Sequence, residues 1–73
     1  MKVYGRYCLV DTDKVALYVE HYYETAYEIL YKTYGNSGYG AIFRGSYERC
    51  REVLDSIVKA EQNAERVFVL PNE

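Results

Sequence analysis

The chain has 73 residues, of which 49% are hydrophobic and 27% charged, with a net charge of -2. That length allows one small domain near the lower limit for folding alone, and the composition is too apolar for a disordered chain and too interrupted by charge for a membrane span. Residues 1–36 carry four basic against five acidic side chains and residues 37–73 five against six, so neither half has the basic excess that drives binding to phosphate backbones.

Residues 2–10 are rich in β-formers, with Val3, Tyr7 and Leu9 on one face and Tyr4, Cys8 and Val10 on the other. Apolar groups on both faces predict a central strand. Asp11, Thr12 and Asp13 follow, residue types whose side chains bond to nearby backbone amides and so favour a turn or a helix N-cap. Lys2 and Arg6 flank no long apolar run, so the N-terminal segment does not read as a signal peptide and the expected location is cytoplasmic.

Residues 14–34 fit two periods. As a strand, Val15, Leu17, Val19, Tyr23, Tyr27, Ile29 and Tyr31 share one face and Glu20, Glu24, Glu28 and Lys32 the other; as a helix, those four charged residues form a stripe at spacing four. A strand of this length is far beyond the usual, and no Gly, Pro, Asn or Asp lies between Lys14 and Tyr34 to turn the chain. The expectation is therefore a helix from Thr12 or Asp13 into the low twenties. Tyr27 to Tyr34 and Tyr39 to Arg44 then read as a hairpin around Gly35, Asn36, Ser37 and Gly38, with a helix ending at Tyr34 as the alternative.

Ser46 to about Asn63 reads as a helix, with Ser46 as N-cap, Glu48 at the positive dipole end, and Tyr47, Cys50, Val53, Leu54, Ile57 and Val58 as its apolar stripe. Asp55 and Lys59 add an i,i+4 pair. Val67 to Leu70 is a short strand stopped by Pro71. Assembled, these elements predict an α+β domain over residues 1–73, a small two-layer sandwich of order βαββαβ with a C-terminal helix and a short last strand. A β-meander followed by helix and strand, and a βαβαβ order, are the alternatives.

The run from Ser37 to Phe43 resembles the strand-three signature of the RNA-recognition motif in Gly38, Tyr39, Gly40 and Ile42, over seven residues only. It departs at Ser37, where a basic residue is usual, at Ala41, where an aromatic is usual, and at Arg44. The resemblance implies that Tyr39 would stack an unpaired base and Arg44 meet a phosphate. Gly35, Gly38 and Gly40 also invite a phosphate-loop reading, but such loops feed a helix N-terminus and this one feeds a strand.

No catalytic or metal signature stands out. His21 and Cys8 are the available base and nucleophile, with Glu20 and Glu24 near the imidazole in sequence, and a structural histidine is the simpler reading. With one imidazole and no Cys-x-x-Cys spacing, no metal site or cofactor is expected, and Cys8 and Cys50 read as two reduced, buried apolar side chains.

The informative excess is aromatic: ten tyrosines, two phenylalanines and no tryptophan. Tyr7, Tyr47 and part of the Tyr23, Tyr27 and Tyr31 row are expected in the core. A domain this small cannot bury all ten rings, so the rest should form an amphipathic contact patch. Tyr34, Asn36, Tyr39 and Arg44 around the hairpin, with Tyr4, Tyr18 and Tyr22, are the expected binding residues. The function expected is a non-enzymatic protein-binding module, a homodimer resembling in style the inhibitor or accessory proteins of phages and mobile elements. Binding of single-stranded RNA or a nucleotide by stacking on tyrosines is the alternative, disfavoured by net charge, and no membrane association is expected.

Overall fold

Alternating apolar residues from Val15 onward form strands rather than a helix. A computed structural model of the chain describes residues 1–35 and 38–72. Its elements in chain order are β1 (Lys2–Tyr4), β2 (Leu9–Asp11), β3 (Val15–Tyr23), β4 (Ala26–Thr33), β5 (Tyr39–Gly45), α1 (Tyr47–Gln62) and β6 (Val67–Val69). Strands β3, β4 and β5 make an antiparallel meander, and β1 stands between β2 (antiparallel) and β6 (parallel) in a second sheet. The α+β class holds, with one helix and the meander-helix-strand order in place of βαββαβ.

The expected helix over Thr12 to the low twenties is replaced by a turn at residues 12–14 and by β3, which pairs with β4 from Val15 opposite Thr33 to His21 opposite Tyr27. The chain reverses at Glu24 and Thr25 without any of the usual turn residues. Glu24 takes the left-handed conformation, φ 50°, that favours glycine. A nearby side chain holds it there: His21 Nε2 lies 2.7 Å from the Glu24 carbonyl oxygen, and since a carbonyl can only accept, Nε2 carries the proton.

The predicted first strand is two short ones, separated by a bend at Arg6 and Tyr7. Gly5 sits at the start of that bend, where a Cβ would lie 2.5 Å from Cys8 Sγ and 3.0 Å from a Leu70 methyl, so the residue must be small. Because the bend turns Tyr7 outward, Tyr7 is 89% exposed rather than in the core. Cys8 is half-buried and Cys50 fully buried, and both are free thiols. Burial pushes the Cys50 thiol above its usual range.

Helix α1 starts as expected, with the Ser46 hydroxyl accepting from the Arg49 amide at 3.1 Å. Its buried stripe is Cys50, Val53, Ile57 and Ala60; Tyr47 and Val58, predicted in that stripe, are about half exposed. On the wet side Asp55 lies 3.9 Å from Arg51, one turn before it. The stripe packs on Val15, Ile29 and Phe43 of the meander and Val3, Val10 and Leu70 from the other sheet and the C-terminal segment. Burying side chains of this kind contributes roughly 1.5–3 kcal/mol each before entropy is counted. The turn after β2 is tied to the helix end, for the Thr12 hydroxyl bonds to the Glu61 carboxylate.

The helix ends in an unusual way for its sequence. The Glu65 amide donates to the Ala60 carbonyl and the Ala64 amide to the Glu61 carbonyl, a pair of bonds that defines a Schellman cap, and Ala64 occupies its left-handed position at φ 58°. Alanine there bears a steric penalty that glycine does not. Ala64→Gly is expected to stabilise the fold by about 1 kcal/mol in urea unfolding.

Candidate functional site

One helix covers one face of the meander, and the opposite face is left to solvent. Because successive strand residues point to opposite sides, the residues paired in register identify what this open face carries. Ala16, Lys32 and Tyr39 form one rung across β3, β4 and β5; Tyr18, Leu30 and Ala41 form the next; Glu20, Glu28 and Arg44 the third. Tyr22 lies at a bulge between His21 and Tyr23, and its ring joins this face by packing under the Arg44 guanidinium. The register shifts between Ile29 and Leu30, so Ile42 is the extra residue of a β-bulge, and this lets both Ala41 and Arg44 lie on the open side.

The face is amphipathic and electrically balanced, with Lys32 and Arg44 against Glu20 and Glu28. Its polar groups are partly committed to one another. Arg44 Nε donates to Glu28 Oε2 at 2.9 Å, and the guanidinium lies 4.1 Å from the centre of the Tyr22 ring. The hydrogen bond to Glu28 raises the Arg44 pKa further above its ordinary value, so the guanidinium keeps its charge. Leu30, in the middle rung, is only 7% exposed, whereas Tyr39 is 71% exposed.

Four of the seven expected binding residues, Tyr18, Tyr22, Tyr39 and Arg44, therefore share this one face. The other three do not join it. Tyr34 is exposed in the turn after β4, Tyr4 lies on β1 in the other sheet, and Asn36 lies outside the described residues, as does Ser37 of the motif-like run. The resemblance to an RNA-recognition motif stays local, since β5 is an edge strand and the overall element order differs. Gly38 precedes β5, which pairs antiparallel with β4, as the hairpin reading requires.

A second tyrosine cluster lies on the helix side, toward the end of the meander where β3 turns into β4. His21 meets Tyr27 edge-on with centroids 5.3 Å apart, and Tyr27 meets Tyr47 edge-on at 5.2 Å. Sequence reading placed Tyr47 in the core and did not pair it with Tyr27. The imidazole, bonded to the turn carbonyl and packed on Tyr27, has a structural role in the hairpin.

A shallow groove of about 390 Å³ lies beside β5, lined by the Arg6–Tyr7 bend, residues 41–44 and Leu70–Asn72. Among the described residues no group of three or more His, Cys, Asp or Glu could hold a metal ion. No helix among them is long and apolar enough to cross a membrane. No family model, curated protein or solved structure matches the chain.

The two tyrosine clusters should respond differently to truncation. Tyr27→Ala removes a half-buried ring with two aromatic neighbours and is expected to destabilise the fold by about 2–3 kcal/mol in urea unfolding. Tyr39→Ala should change stability by less than about 0.5 kcal/mol.

Proposed function

We propose that the chain is a small non-enzymatic protein-binding module, homodimeric in its working form, that applies the open face of β3, β4 and β5 to a partner protein. What supports this reading is the co-location of the exposed Tyr18, Tyr22 and Tyr39 on a face with no net charge. Exposed tyrosines present large, fairly rigid contact area, and a hydroxyl can bond across an interface while the ring loses water. Balanced charge favours a protein surface over a polyanion, which would need uncommitted cations.

Stacking of single-stranded RNA draws support from Tyr39 on an open sheet face, but Arg44, the residue assigned to phosphate, is already engaged by Glu28 and Tyr22. A triple substitution of Tyr18, Tyr22 and Tyr39 to serine separates the readings. Proteins that co-purify with the tagged chain from its native cells are expected to be lost with the triple variant and kept with Tyr4→Ser, with both variants still folded by circular dichroism. Short single-stranded RNA titrated at low salt should leave wild-type tyrosine fluorescence unchanged. A saturable RNA response abolished by Tyr39→Ser would overturn the protein-binding reading.

A further inference from the structure

We infer that two copies of the chain join through the free edge of β3, antiparallel about Val19, into one continuous six-stranded sheet. This rests on the homodimer proposed above and assigns its interface.

The four sheet edges are not equivalent. Strands β2 and β6 are three residues long, and β5 carries the bulge at Ile42 and has the bend at Arg6 and Tyr7 and the C-terminal segment beside it. Edges of that kind are protected from pairing with another chain. Strand β3 has nine residues, of which the seven from Val15 to His21 pair regularly with β4 before a bulge at Tyr22; among the described residues its other edge is unpaired, and it contains no proline, glycine or lysine. Its unpaired groups can be located. The Tyr34 amide donates to the Lys14 carbonyl, so Lys14 and Tyr34 are a hydrogen-bonded pair, and in an antiparallel ladder such pairs alternate. The backbone groups of Ala16, Tyr18 and Glu20 therefore point into β4, and those of Val15, Leu17, Val19 and His21 point out of the sheet.

A second copy satisfies these groups in a register set by the side chains. Pairing β3 with itself about its midpoint places Val19 against Val19, Leu17 against His21, and Tyr18 against Glu20. The five residues from Leu17 to His21, inside the bulge at Tyr22, then pair regularly, and about six interchain backbone bonds form through Leu17, Val19 and His21. The Tyr18 hydroxyl comes beside the Glu20 carboxylate of the other copy. Sliding the pairing one step in one direction centres it on Glu20 and sets two carboxylates face to face, which is repulsive. Sliding it the other way leaves Glu20 opposite Ala16. Both copies keep their helices on one side, so the two open faces become one surface with Tyr18 and Tyr22 at its centre and Tyr39 at its flanks.

Charge changes at position 18 read this register directly. By native mass spectrometry and light scattering at micromolar concentration, wild type is expected at twice the 8.6 kDa chain mass. Tyr18→Glu sets two carboxylates opposite each other on both sides of the two-fold and should weaken the dimer by about tenfold or more. Tyr18→Lys should retain it, with added salt sensitivity, and adding Glu20→Lys to Tyr18→Glu should restore it. A wild type of single-chain mass would overturn the interface and the homodimer together. A wild-type dimer that survives Tyr18→Glu, or that Tyr18→Glu and Tyr18→Lys weaken alike, would overturn only this interface. Partner binding by the tyrosine face is read separately, by the triple serine variant.

Discussion

A single helix can shield only one side of a three-stranded sheet, and this constraint shapes the rest of the molecule. Cys50, Val53, Ile57 and Ala60 of α1 are buried, and Val15, Ile29 and Phe43 of the meander pack with this helix face in the core. The intervening residues of the same strands must then face outward whatever their chemistry. A sequence that put leucine or phenylalanine at all those positions would aggregate through the exposed face. Tyrosine resolves the conflict, because its ring favours the pleated surface while its hydroxyl remains hydrated.

The same division sorts the aromatic side chains by job. Tyr27, flanked by His21 and Tyr47, belongs to the framework that holds the far end of the hairpin onto the helix side. Tyr18, Tyr22 and Tyr39 contribute area to the outer face, and Tyr22 helps Glu28 fix the Arg44 side chain. An ion pair whose acid is 12% and whose base is 57% exposed adds little stability, but it orders the surface on which the tyrosines stand. Order of that kind reduces the entropy lost when a partner binds.

Much of the fold was legible in the sequence, and the failures have physical causes. The β4–β5 hairpin, α1 with its Ser46 cap, and β6 follow from glycine placement, helical spacing and Pro71. Residues 14–34 misled because Glu20, Glu24, Glu28 and Lys32, at spacing four, satisfy both a helical stripe and a strand face. The deciding feature was a turn with no turn residue, made by Glu24 at positive φ with its carbonyl held by His21. Ala64 hid the Schellman cap in the same way, by filling a position where glycine is the usual signal. Of the candidate site, residue types singled out tyrosines but not which of them share a face. Tyr18, Tyr22, Tyr39 and Arg44 share a face only because β3 is a strand and because the Ile42 bulge resets the alternation along β5.

A dimer through β3 requires a strand with one bonded edge and one edge open to a second copy. Residue-resolved amide hydrogen exchange by NMR along Val15–Tyr23, at low and high protein concentration, tests it most directly. The amides of Ala16, Tyr18 and Glu20 should exchange slowly at both concentrations, and those of Leu17, Val19 and His21 should become slow only at the higher one. Equal protection of consecutive amides at both concentrations, the pattern of a helix or of an edge already covered within one chain, would contradict it.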